Sequence, residues 1–161
     1  MPHFKYVVRD CDGYIVCAGT AKNQVTNAAL EALISRSFNS AVEGTNQGTP
    51  WKVGGISAAG FSSRSRSDTI GSHPGWVALD ADLADFSFDT SGWSADTDPL
   101  GFGGLGDQLV LSDGDICAGF FMVNNSSSLL WSTAELNSPI VAAGTTFVDV
   151  YYFINDGSYE E

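Results

Sequence analysis

A chain of 161 residues with 43% hydrophobic and 12% aromatic content has the size of one domain, is too apolar to be disordered, and can bury a core without a disulfide or metal staple. Its 18 glycines demand many turns and shift the expectation toward a β-dominated domain. The net charge of −12 is unevenly placed: seven basic and four acidic groups precede Ser67, whereas fifteen acidic groups and no Lys or Arg follow from there, a field that repels phosphate backbones and argues against a nucleic-acid partner.

In chain order, FKYVVR (residues 4 to 9) and YIVC (14 to 17) are β-favouring runs separated by DCDG, whose Asp12-Gly13 is a turn signal, so an opening hairpin is expected. Beyond AGTAKNQ the sequence predicts one amphipathic α-helix over residues 27 to 38, capped by Thr26, with Val25 stapling onto Leu30 and with Leu30, Leu33, Ile34 and Phe38 on one apolar stripe. WKVGGI reads as a short strand with Trp51 and Val53 on one face, and the Ser-rich stretch from Ser57 to Ser72 as loop. There Arg64 and Arg66, the one local basic pair, read as ordinary surface. WVAL (76 to 79) and DFSF (85 to 88) read as two further strands, and residues 89 to 106 as a glycine-rich loop open to ordering by a partner.

QLVL, ICAGFFMV, LLW and TFVDVYYFI then read as strands bounded by SDGD, NNSSS and NSPIVAAG. In the last of them Val148, Val150, Tyr152 and Ile154 share one face, while Asp149 alone interrupts the apolar face of Phe147, Tyr151 and Phe153. A flexible tail, 155 to 161, closes the chain. The expected fold is mainly β, a single β-sandwich-like domain with one helix near its N-terminus.

Little of the chemistry points to catalysis. His73 with Asp68 and a serine could be written as a triad, yet no activated-serine context such as G-x-S-x-G accompanies them. GFGGLG at 101 to 106 follows no predicted strand and opens no helix, so it is not read as a nucleotide loop, and no cofactor is expected. Asp96 with Asp98, and Asp113 with Asp115, place hard oxygens close together as calcium prefers, but neither pair sits in a twelve-residue EF-hand loop, and Asp-Gly between strands reads as a turn. Within DTIGSHPGW, Asp68, Ser72, His73, Pro74 and Trp76 are expected to make a structural corner: Asp68 and Ser72 bond backbone, Pro74 sets the turn, and Trp76 enters the next strand. Trp51, Trp76 and Trp131 sit in or beside β-favouring runs and are expected buried with their indole N–H satisfied; Trp93, surrounded by loop residues, is the candidate partner contact.

Cys11 and Cys17 could face each other across the hairpin, while Cys117 is left over. No apolar run approaches membrane-spanning length, and MPHFKYVVRD has neither an apolar signal region nor a cleavage site; the expectation is no membrane, and assembly in a reducing cytoplasm.

Two stretches resemble a family of small structural proteins encoded in tailed-bacteriophage genomes: WKVGGISAAGF through SRSDTIGSHPGW, and AGFFMVNNSSSLLWSTAELNSPIVAAGTTFVDVYYF. VTNAAL at 25 to 30 is similar to that family's helix start, and the resemblance spans most of residues 13 to 154; the family's acidic residue after the glycine before the last strand is Thr145 here. The resemblance implies a non-enzymatic virion component. A capsid decoration or cement protein that contacts the major capsid protein and neighbouring copies of itself on the outer surface of the capsid is the first expectation. The alternative is a neck, tail or fibre-attachment subunit, with host-glycan binding through Trp93 and the 89 to 106 loop. The less acidic segment before residue 67 is the expected docking side.

Overall fold

The computed structural model describes residues 3–31, 51–59, 61, 63–69, 78–86, 101–105, 108–124 and 129–155, of which 78–86, 101–105 and 153–155 are described by backbone pairing alone. The elements are strands β1 (His3–Arg9), β2 (Ile15–Val25), β3 (Trp51–Ser57), β4 (Ala78–Phe86), β5 (Gly101–Leu105), β6 (Leu109–Leu111), β7 (Ile116–Asn124), β8 (Leu129–Val141) and β9 (Thr146–Asn155), with one short helix, α1, over residues 27–31. The fold is mainly β, as the composition implied.

All strand pairs are antiparallel, in the order β4-β3-β7-β8-β2-β1-β9-β5, with β6 also paired to β9. Because β6 also lies against β3 and β4, the two ends of this path approach each other and the sheet curls nearly into a barrel. β2 joins the two facing halves: Ile15 to Lys22 pair with β1, and Asn23, Gln24 and Val25 pair with β8. The result is one continuous sheet folded over a shared core, in place of two separate sheets.

The first hairpin forms where Asp10 organises its own turn. Its Oδ1 accepts the N–H groups of Asp12 and Tyr14 at 3.0 and 2.9 Å, and Gly13 takes the left-handed φ of 84° that the turn requires. Inside, Phe4 and Val8 of β1, Val148, Val150 and Tyr152 of β9, and Leu109 and Leu111 of β6 meet Val53, Phe120 and Met122 from the other half. The alternation expected along β9 is observed, with Val148, Val150 and Tyr152 fully buried. Tyr152 packs edge-on against Phe4 at 4.8 Å.

β7 reads as a continuous apolar run because both of its faces are covered. Phe120 and Met122 enter the main core, while Phe121 and Val123 join Ile56 and Leu130 in a second cluster on the opposite face, against which Phe61 packs.

Several expectations change. The helix expected over 27 to 38 is observed as one short turn at 27–31; Leu33, Ile34 and Phe38 lie outside the described residues. Thr26 caps it, its Oγ1 accepting the Ala29 N–H at 3.2 Å, but Ala29 is the buried residue and Leu30 is left 37% exposed, so no apolar stripe is formed by these residues. AGTAKNQ, expected to link hairpin and helix, continues β2. WVAL and DFSF do not form separate strands: Ala78–Phe86 is one strand, with its pairing to β3 shifted between Val53 and Gly55. Residues 101–105, inside the expected loop, form β5 on the edge of β9, where backbone hydrogen bonds need no bulky side chains. LLW extends through NSPIV to make a thirteen-residue β8.

Candidate functional site

The sequence-predicted corner is only partly within view: Asp68 is described, and Ser72, His73, Pro74, Trp76 and the candidate contact Trp93 lie outside the described residues. Asp68 is buried, and its Oδ2 accepts the Ser65 N–H at 2.7 Å while its own N–H reaches the Ser65 carbonyl at 3.2 Å. This closes a compact loop, which Ser65 and Ser67 tighten through a hydroxyl contact of 2.9 Å. The loop then reaches outward twice. The Arg66 carbonyl accepts the Asn27 N–H at the start of α1, at 2.9 Å, and Arg64 Nη1 donates to the carbonyls of Lys22 and Thr133 at 3.0 and 2.9 Å.

Arg64 therefore stands at a fork. β2 and β8 pair from Asn23 to Val25 and then diverge, and the guanidinium bridges the Lys22 carbonyl just beyond the paired segment and the Thr133 carbonyl within it. Arg64 was read as ordinary surface; its role was hidden because the carbonyls it bridges come from strands 42 and 69 residues away. On the other side of the paired segment, Thr26 Oγ1 donates to the Leu130 carbonyl and the Thr26 N–H donates to the Trp131 carbonyl at 3.0 Å.

Next to the fork, the core contains a polar knot. The Tyr152 hydroxyl accepts Asn23 Nδ2 at 2.7 Å and Trp131 Nε1 at 2.9 Å. Burial pushes its pKa above the ordinary phenol value, opposed by the Ser132, Trp131 and Asn23 side chains. Asn23 Oδ1 and Ser132 Oγ are buried there without a partner at hydrogen-bond geometry, so Ser132 acts on the phenol by proximity more than through a formed bond. Trp51 and Trp131 pack edge to face with centroids 5.6 Å apart and are half-buried. Trp131 has its indole N–H satisfied as expected, though neither ring is fully enclosed.

Asp149, the one charge on the outer face of β9, is also accounted for. Arg9 Nε and Gln108 Nε2 donate to its two oxygens at 2.9 and 2.7 Å, and Arg9 Nη1 also holds the Gly13 carbonyl at 3.2 Å. The carboxylate thus ties β9 to the first hairpin. Asp113 and Asp115 spend carboxylate oxygens on the N–H groups of Gly144 and Ser112, both at 2.8 Å, which is turn construction. Among the described residues no group of three or more His, Cys, Asp or Glu converges on a point that could hold a metal ion; Asp96 and Asp98 lie outside them.

Cys11 and Cys17 do not face each other. Cys17 lies opposite Val8 in the ladder and Cys11 sits in the turn, and both are exposed free thiols. Buried Cys117 has its thiol pushed up to about 11, chiefly by desolvation. What the hairpin does expose is apolar: Tyr14, Ile15 and Val16 are 72%, 60% and 65% accessible.

No family model matches the chain, and no curated protein or solved structure matches it.

Proposed function

We propose that the chain is a structural subunit of a tailed-bacteriophage particle, a capsid decoration or cement protein that binds the outside of the head shell and reinforces contacts between shell subunits. The observation that carries this reading is the resemblance of WKVGGISAAGF, SRSDTIGSHPGW and AGFFMVNNSSSLLWSTAEL to that family's segments. Two features support it. WKVGGIS and ICAGFFMVN are adjacent strands, β3 and β7, and β7 in turn pairs with β8, so the strand portions of the resembling segments lie side by side in the sheet. Three of the large apolar groups exposed among the described residues, Tyr14, Ile15 and Val16, lie together on the hairpin, in the less acidic part of the chain where the docking side is expected, while Val110, Ile116 and Val141 are exposed in the acidic part. Action is by multivalent burial against the major capsid protein and neighbouring copies, without turnover, cofactor or nucleic acid.

The test is particle localisation. Tagged or antibody-labelled chain in purified virions is expected over the head lattice in a cryo-EM map. Label confined to the neck, tail or fibres would replace the decoration reading with the tail-associated one, and absence from particles would end both.

A further inference from the structure

We infer that Asp12 is a site of spontaneous covalent modification, where the first hairpin turn converts to isoaspartate through a cyclic imide, while Asp113, in the same dipeptide on another turn, is held back from that reaction by the fold.

The chemistry is set by the dipeptide. The backbone nitrogen of the residue after an aspartate attacks the side-chain carboxyl carbon: a C–N bond forms, a C–O bond breaks, and the carboxyl hydroxyl leaves as water with the proton of that nitrogen. Water then opens the ring at either carbonyl. Opening at the original backbone carbonyl leaves the main chain running through the side-chain carbons, one methylene longer. Glycine at the following position presents no Cβ to the closing ring, so Asp-Gly is the reactive pair.

The described residues contain two such pairs, and they are closely matched. Asp12 and Asp113 are both exposed turn residues. Gly13 and Gly114 take φ of 84° and 85°, and each donates its N–H to a carbonyl, that of Asp10 at 3.0 Å and that of Ala142 at 3.1 Å. What differs is the carboxylate. Asp113 Oδ1 accepts the Gly144 N–H at 2.8 Å, which pins the carboxyl group to the neighbouring turn. Asp12 has no such tether: its N–H donates to Asp10 Oδ1 at 3.0 Å, and among the described residues no donor reaches its own carboxylate. Its side chain is free to rotate onto the Gly13 nitrogen.

The backbones differ in the same direction. Gly114 is bound to the turn before β9, which is bound back by the Ala142 N–H to the Asp115 carbonyl at 2.9 Å. The Gly13 N–H is bonded only within its own turn. Opening a local turn bond is a small fluctuation, whereas Gly114 is released only when two turns part. The added methylene would fall between the N–H groups of Asp12 and Tyr14 that Asp10 Oδ1 bridges, and next to Gly13, whose carbonyl Arg9 Nη1 holds at 3.2 Å. Modification therefore loosens the turn of the hairpin that presents Tyr14, Ile15 and Val16.

The experiment is a timed incubation of the full chain, warm but below its unfolding transition, with and without enough urea to unfold it. Peptide mass spectrometry with electron-transfer fragmentation then tells isoaspartate from aspartate at each position. In the folded chain isoaspartate is expected to accumulate at residue 12 roughly tenfold or more faster than at residue 113, the factor set by having to break one charge-assisted hydrogen bond. In urea the two positions are expected to convert at comparable rates, because glycine follows both. Asp12→Glu, which would have to close a larger ring, is expected to abolish the product at residue 12 and leave residue 113 unchanged. A folded chain that converts both positions equally, or one whose residue 12 stays intact while the urea-treated chain converts, overturns the inference. So does a preference for residue 12 that persists in urea, since it would belong to the sequence and not to the fold.

Discussion

Tyr152→Phe isolates the polar knot from the packing around it. The ring stays, with its edge-on contact to Phe4, and only the hydroxyl that receives Asn23 Nδ2 and Trp131 Nε1 is lost. Two donors then lose the acceptor they share, in a pocket whose other polar side chain is Ser132. An orphaned buried donor costs about 1–3 kcal/mol, and because Asn23 and Trp131 are only half-buried the lower end applies, giving a loss of about 2 kcal/mol. For a domain of this size that corresponds to a fall in Tm of roughly 4–8 °C. Urea denaturation followed by tryptophan fluorescence measures it, with the slope expected to stay constant because the exposed area is unchanged. A double-mutant cycle with Trp131→Phe should return a coupling of about 1 kcal/mol. A loss below about 0.5 kcal/mol, or no coupling, would mean that the hydroxyl is not the organising acceptor and the reasoning fails.

Gly119→Ala should be among the most damaging small substitutions in the chain. A Cβ there would lie 2.1 Å from the Ala134 carbonyl oxygen, backbone that cannot swing away, so a loss of about 3 kcal/mol or more is expected in chemical denaturation. Arg64→Ala should leave the Lys22 and Thr133 carbonyls without their bridge and cost about 1–2 kcal/mol; hydrogen exchange at the Thr26 amide, at the far end of the short segment that Arg64 clamps, should accelerate, and an unchanged rate would deny Arg64 its bridging role. Cys117 gives a pH signature. Its folded pKa is raised from 9.0 to about 11, so the unfolded chain loses that proton first, and stability present below pH 9 should fall by about 3 kcal/mol as pH rises through 11. Cys117→Ala should remove that part of the alkaline loss, and an identical alkaline profile in the variant would contradict the assignment.

Local signals carried the β content, the first hairpin and the inward face of β9. Asp12-Gly13 makes the turn because glycine alone accepts its backbone angle easily, and Val148, Val150 and Tyr152 point inward because strand side chains alternate. The cap by Thr26 was equally legible, since a hydroxyl bonding an N–H three residues later is a local event. Of the helix it was expected to start, residues 27–31 are helical and the rest lies outside the described residues. The hydrogen-bonding groups around Thr26 are also engaged by β8 and by the 63–69 loop, which propensity does not register.

Tertiary structure decided the rest. Gly101–Leu105 carries no strand pattern, and it becomes β5 because β9 offers an edge. Arg64 looked solvated until two distant strands diverged beside it, and Asp149 looked anomalous until Arg9, 140 residues away, and Gln108 closed on it. The sequence by itself determined which segments would be extended and which side chains would seek the core, because those follow from periods of two residues and from turn chemistry. Which strands meet depends on where the nine described strands find room around one core, and that is a property of the assembled sheet alone.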